Sequence, residues 1–225
     1  MEIGTDGWVN DNGLIKFTRG STTNKSGSLK KENVRIIVAH WTGGYSASGA
    51  MAWLANPAAK ASAHFVVGRN GELGQLVSVK ETAWHAGESS WSKSAWPEVP
   101  HVPSASPSNI ITGINKYSIG IEFVNLGKLK KNEAGKFISS TSKEVDSSQV
   151  VQGDDGKYYQ SYTNEQIETG PSLMMAIKAF YPDIVELIGH SDIVPSRKTD
   201  PGPEFPFAFY RARLFGRHDG DDSVA

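Results

Sequence analysis

Gly189-His190-Ser191-Asp192-Ile193-Val194-Pro195-Ser196-Arg197-Lys198-Thr199-Asp200-Pro201-Gly202 follows a short apolar run made by Val185, Leu187 and Ile188. That run reads as a buried strand. Pro195, Pro201 and Pro203 then exclude helix, so the segment is expected to be a rigid loop. It carries a candidate metal ligand at the strand end, His190, and a second ten residues on, Asp200. Lys198 precedes Asp200 by two residues, so in extended chain both side chains point to the same side. An imidazole, a carboxylate and an ammonium on one stiff loop point to a zinc hydrolase site. Such a site takes three protein ligands and leaves the fourth position to water, so a third ligand must be brought from elsewhere.

The remaining chain supplies it. Residues 34–40 are apolar nearly throughout and β-branched, as a central strand is, and His40 stands at their C-terminal end. Ser48 is placed to cap a helix over residues 49–55, which Asn56-Pro57 ends. Residues 64–67 and 73–79 read as strands around Arg69-Asn70-Gly71-Glu72, a strong hairpin signal. From Trp84-His85 a long loop begins, with Trp91, Trp96 and four prolines. Residues 118–124 alternate, with Ile119, Ile121 and Phe123 on one face and Gly120, Glu122 and Val124 on the other. Residues 126–161 are polar and are expected to form a surface excursion. Thr163 and Gln166 make a capping box for a helix ending before Pro182, which Gly170-Pro171 is expected to kink or split. Pro206 opens a last helix with Phe207, Tyr210 and Leu214 on one face.

Strands alternating with helices predict one α/β domain: a mixed central sheet flanked by helices, with the metal site at the C-terminal edge of its strands. Residues 1–32 are expected as an irregular arm packed on the domain, with a short strand at 13–17. Residues 33–217 form the domain and 218–225 a flexible tail. A chain of 225 residues suits one sizeable core. The net charge of -1 gives no support for a nucleic-acid partner, and the absence of cysteine excludes disulfides and thiolate metal sites. No apolar run is long enough to span a membrane. No signal peptide is evident at the N-terminus, so a cytoplasmic location or export by a phage or secretion-system route is expected.

A lone histidine is more often structural than functional. Two strand-end imidazoles and one carboxylate, however, suit zinc. Glu122 sits in an otherwise apolar strand, where an unpaired acid is costly to bury, and a carboxylate beside a zinc site acts as general base and then acid. Lys198 is a cation aimed at a developing oxyanion. On the Trp-rich loop, Trp91 or Trp96 is expected to form a wall of the cleft and touch substrate. His64 is expected behind the ligands and His85 along the cleft.

Val38-Ala39-His40-Trp41-Thr42, Ser62-Ala63-His64-Phe65, Trp84-His85-Ala86-Gly87, Ser118-Ile119-Gly120-Ile121-Glu122 and Gly189-His190-Ser191-Asp192 with Arg197-Lys198-Thr199-Asp200-Pro201-Gly202 together resemble the zinc-dependent N-acetylmuramoyl-L-alanine amidases. That family includes the phage lysozyme-type amidases and the peptidoglycan recognition proteins. The resemblance runs from about Val34 to Phe215. It implies one zinc ion per chain on His40, His190 and Asp200, with Glu122 as acid/base and Lys198 as transition-state stabiliser. It implies cleavage of the amide between N-acetylmuramic acid and L-alanine in peptidoglycan or muropeptides. Asp200 and Ala63 stand where phage members carry Cys and Tyr, and both departures match the bacterial anhydro-muropeptide branch. A peptidoglycan-binding module without turnover and a zinc amidase of another acylated peptide are the alternatives. The retained Asp200 argues against the first.

Overall fold

A computed structural model describes residues 1–10, 13, 15–92 and 110–216. Six strands form the central sheet: β1 (Phe17–Arg19), β2 (Ile36–Trp41), β3 (Phe65–Val67), β4 (Leu73–Gln75), β5 (Ser118–Phe123) and β6 (Glu186–Gly189). Their spatial order is β1-β4-β3-β5-β2-β6. Every neighbouring pair is parallel except the β3–β4 hairpin, so the sheet is mixed as expected. The hairpin turns where Asn70-Gly71 predicts it. Gly71 has φ +77°, a conformation glycine adopts without steric cost.

The register sorts the side chains between two faces. Ile37 pairs with Ile119 and Ala39 with Ile121, and these join Phe65, Val67, Phe123 and Leu187 in one large core. Two helices cover that face: α2 (Asn164–Phe180) through Leu173, Met174 and Ile177, and α4 (Phe207–Phe215) through Tyr210 and Leu214. On the opposite face, Ile36, Val38 and Ile188 pack beneath Ala86, Trp91, Ile111 and Ile114, while Val66 packs against Ala47, Ala50 and Leu54 of α1 (Ala47–Ala55). His40 lies on this second face, at the C-terminal end of β2 and in register with Glu122 of β5. The two covering groups leave the edge of the sheet open between them.

Several local expectations need correction. The cap of α1 is Ser46, whose hydroxyl accepts from Gly49 N at 3.1 Å, and Ser48 already lies inside the helix. The capping box of α2 forms as predicted, with Gln166 N to Thr163 Oγ1 and Thr163 N to Gln166 Oε1 both at 3.2 Å. Pro171 neither ends nor splits that helix. Gly170 lets the Tyr210 ring approach closely, and the Tyr210 hydroxyl donates to Gln166 O at 3.0 Å, in the turn that a proline weakens. The short N-terminal strand lies at Phe17–Arg19, where it pairs with β4 and so belongs to the sheet.

The polar excursion is itself a sheet. Glu144–Val145, Phe137–Ser139, Lys128–Lys131, Tyr158–Gln160 and Val150–Gln152 form five antiparallel strands in that spatial order. Leu126, Leu129 and Val145 give it a small core of its own, with one face left to lysines. Its root is fastened: Gln160 N donates to Gly127 O at 3.0 Å, Leu126 N to Gln160 Oε1 at 2.8 Å and Asn125 Nδ2 to Gln160 O at 3.0 Å. Among the described residues, no helix is long and apolar enough to cross a membrane. The expected tail at 218–225 lies outside the described residues.

Candidate active site

The segment from His190 departs from the loop expectation in its first turn. His190–Ile193 is a single helical turn, α3, entered directly from β6. Asp192 Oδ2 accepts from Gly189 N at 2.7 Å and secures its start. Pro195 restrains only itself and Val194, so it stops the helix without preventing it. Since Gly189 pairs with Ala39, His190 follows one position on, beside His40. The chain then loops back, and Ser191 N donates to Asp200 O at 2.9 Å. The Tyr162 hydroxyl donates to Pro201 O at 2.7 Å and holds the loop from its other side.

These constraints bring three side chains together. His40 Nδ1 lies 3.0 Å from His190 Nδ1 and 3.1 Å from Asp200 Oδ2, and His190 Nδ1 lies 3.0 Å from the same oxygen. All three residues are buried, and the trio could hold a metal ion. Burial holds His40 below its ordinary value, with His190 and Lys198 adding to the effect and Asp200 opposing it. Burial alone would raise Asp200, but hydrogen bonds to His190 and His40 outweigh it and keep the carboxyl ionised well below the usual carboxylate range. Two imidazoles and an ionised carboxylate are a donor set for a borderline metal such as zinc.

A cleft of about 310 Å³ opens over the trio. Glu122 and Lys198 both line it. Glu122 Oε2 is shielded from solvent and has no hydrogen-bond partner among the described residues. Burial pushes this carboxyl well above its ordinary value, Asp200 adds to the push and Lys198 opposes it. A carboxyl so placed holds a proton more firmly than an ordinary one, as a group that takes up and returns a proton must.

The remaining expected residues divide. His85 lines the cleft and stands behind His40, with His85 Nδ1 3.0 Å from His40 Nε2. His64 is wholly buried away from the cleft. Gly120 N donates to its Nδ1 and its Nε2 reaches Glu81 O, each at 3.0 Å, and burial lowers it to about 4. Trp91 is corrected: at 6% exposure it packs with Ile36, Val38 and Val194 beneath the site and lines no wall of the cleft. An indole has more apolar area to bury than the rim of a cleft covers, and the core claims it. Trp96 lies outside the described residues.

The aromatic walls are Trp41 and Trp53, which sequence reading passed over. Trp53 is 58% exposed on α1, a short helix otherwise built of small and apolar residues, and that contrast is the signal that could have marked it. Trp41 directly follows His40. Its indole lies on Gly127 and Gly202, where the first carbon of any side chain would meet the ring.

The sequence profile described as N-acetylmuramoyl-L-alanine amidase matches residues 30–203. The chain belongs to this amidase family. Its similarity to 1,6-anhydro-N-acetylmuramyl-L-alanine amidase AmpD of Escherichia coli K12 is 29% identity over 153 residues, covering 68% of this chain and 57% of the relative. With N-acetylmuramoyl-L-alanine amidase AmiD of Escherichia coli K12 it shares 28% over 193 residues, 82% of this chain and 55% of the relative. The chain thus spans little more than half the length of these curated relatives. Among solved structures, AmiD from E. coli in complex with the substrate anhydro-N-acetylmuramic acid-L-Ala-D-gamma-Glu-L-Lys aligns with TM-score 0.57 and 29% identity, covering 83% of this chain and 58% of that one. A selenomethionine AmpD derivative aligns with TM-score 0.62 over 95% of this chain and 99% of its own, and at 23% identity it supports the amidase fold alone.

Proposed function

We propose that this chain is a zinc-dependent amidase that hydrolyses the bond between N-acetylmuramic acid and L-alanine, with soluble anhydro-muropeptides as the preferred substrate class. One observation carries the reading: His40 Nδ1, His190 Nδ1 and Asp200 Oδ2 converge within 3.1 Å of one another beneath a cleft that Glu122 and Lys198 share. His40, His190 and Asp200 would hold zinc, which would supply Lewis acidity toward the scissile carbonyl and the attacking water. Glu122 takes the proton of the attacking water and delivers it to the leaving amine of L-alanine. Its raised proton affinity suits both halves of that exchange. The Lys198 ammonium faces the same space and offsets the negative charge that builds on the carbonyl oxygen. Trp41 and Trp53 line the same cleft and offer flat apolar faces to a substrate there. The substrate carried by AmiD supports the anhydro-muropeptide choice.

Mass spectrometry of products from intact sacculi and from soluble anhydro-muropeptides, with zinc-loaded and chelated protein, tests the reading. The expected result is zinc-dependent release of stem peptides with a free L-alanine amine, faster from the soluble substrate. Binding of either substrate without release would convert the reading to a recognition module. Release from sacculi alone would overturn the substrate class.

A further inference from the structure

We propose that His85 is a positioning residue for the metal centre: held between Ser118 and His40, it fixes His40 in the tautomer that turns a bare Nδ1 toward the metal. The inference rests on the zinc reading above. It follows from counting protons along one chain of contacts.

The chain starts at Ser118, a fully buried residue of β5. Its hydroxyl has a single proton, and that proton goes to Ile114 O, a pure acceptor 2.7 Å away. Ser118 Oγ can therefore only accept from its other neighbour, His85 Nε2, at 3.0 Å. His85 thus carries its proton on Nε2, and its Nδ1 is bare. That bare nitrogen lies 3.0 Å from His40 Nε2, so His40 must be the donor in this contact. With its proton on Nε2, His40 has a free lone pair on Nδ1, the atom that meets His190 Nδ1 and Asp200 Oδ2. The reverse arrangement would aim a proton of His40 at the metal position, and binding would have to expel it.

The ring of His85 is fixed by its surroundings. It fills the space left by Gly120 in β5, where a methyl group would land on Cγ, Cδ2 and Nδ1 of the imidazole. Its backbone is clamped as well, because Asn115 Oδ1 accepts from His85 N at 3.1 Å and from Ala86 N at 2.8 Å. Both ring nitrogens are occupied by protein partners, so neither faces a substrate. His85 therefore acts through His40, as second partners of metal-bound histidines do.

The test is zinc affinity of the full chain, measured by competition with a chromophoric chelator. His85→Leu should weaken zinc binding by roughly 10–100-fold. His85→Asn, whose Oδ1 can accept from His40 Nε2 in place of Nδ1, should restore most of that affinity. Ser118→Ala should weaken binding in the same direction without touching either ligand, and it carries the test if His85→Leu fails to fold. Wild-type affinity in Ser118→Ala or His85→Leu, or an effect on KM alone, would overturn the positioning role. Wild-type protein that binds no zinc would instead overturn the zinc reading on which this one stands.

Discussion

Glu122 stands in register with His40, yet it touches none of the three residues that would hold the metal by any hydrogen bond among those described. Removing its carboxylate should therefore separate chemistry from metal binding. Glu122→Gln and Lys198→Ala are expected to keep zinc and the melting temperature while kcat falls roughly 10²–10⁴-fold, the usual cost of losing an acid/base or an oxyanion donor. Steady-state kinetics beside metal analysis checks this, and near-normal turnover in Glu122→Gln would hand its role to another group. His64 makes a different prediction, on stability. Unfolded, it takes a proton below its ordinary 6.5, whereas folded it stays neutral until about 4. Between those values the unfolded chain binds the extra proton, so stability falls as pH drops through the window and levels off below it. The loss is about 2 kcal/mol at pH 5. Urea unfolding of chelated protein at pH 7 and pH 5 should show a smaller drop for His64→Gln than for wild type. At this scale the convergence of His40, His190 and Asp200 was legible because two of them stand at strand ends and the third lies on the Pro-bounded loop that follows one of them. The partnership of His85 with Ser118 was not, because it depends on a void at Gly120 that only the assembled sheet creates.

Elements were legible where their signals are local. Asn70-Gly71 and the Thr163–Gln166 box each close a contact within a few residues. Thr163 also donates to Arg69 O at 2.6 Å, joining α2 to the β3–β4 hairpin. Thr163→Ala should thus cost somewhat more than an ordinary cap, about 1–2 kcal/mol. A fall in melting temperature of about 2–8 °C with unchanged zinc content is expected for a chain of this size, and calorimetry would measure it. Where tertiary packing decides, the local signal fails. Pro171 persists inside a helix that Tyr210 packs against and bonds one turn earlier, and Trp91 enters the core although its neighbours in sequence read as loop. The strands between 128 and 160 are so short and so rich in lysine that only their mutual pairing reveals them.

Across the whole molecule, the metal trio is assembled from distant parts of the chain, with 150 residues separating His40 from His190 and 160 separating it from Asp200. An unfolded chain cannot hold those groups together, so zinc should bind the folded state almost exclusively. At free zinc about 100 times its Kd this linkage is worth about 2.7 kcal/mol. A rise in melting temperature of about 5–11 °C on adding zinc to chelated protein is expected. Asp200→Ala should lose most of that rise, and an unchanged increment in this variant would remove Asp200 from the ligand set. The sheet positions the site through its order as much as through its residues: β5 and β6 flank β2, so Glu122 and His190 arrive on either side of His40.

The fastened root of the five-stranded excursion has a consequence for engineering. Asn125, Leu126 and Gly127 are bonded to Gln160 at the base of the excursion, so whatever lies between them starts and finishes at one point. Closing such a loop costs little more when it lengthens, rising only with the logarithm of its length. The hairpin tip at Asn132–Gly135, where Gly135 N bonds Asn132 O at 2.9 Å, is therefore a graft port. A foreign module spliced there should ride on the domain without disturbing His40, His190 and Asp200, provided Gly127 stays a glycine beneath Trp41. Unchanged zinc affinity in such a chimera, beside its loss in Gly127→Val, would mark where the tolerant part of this chain ends.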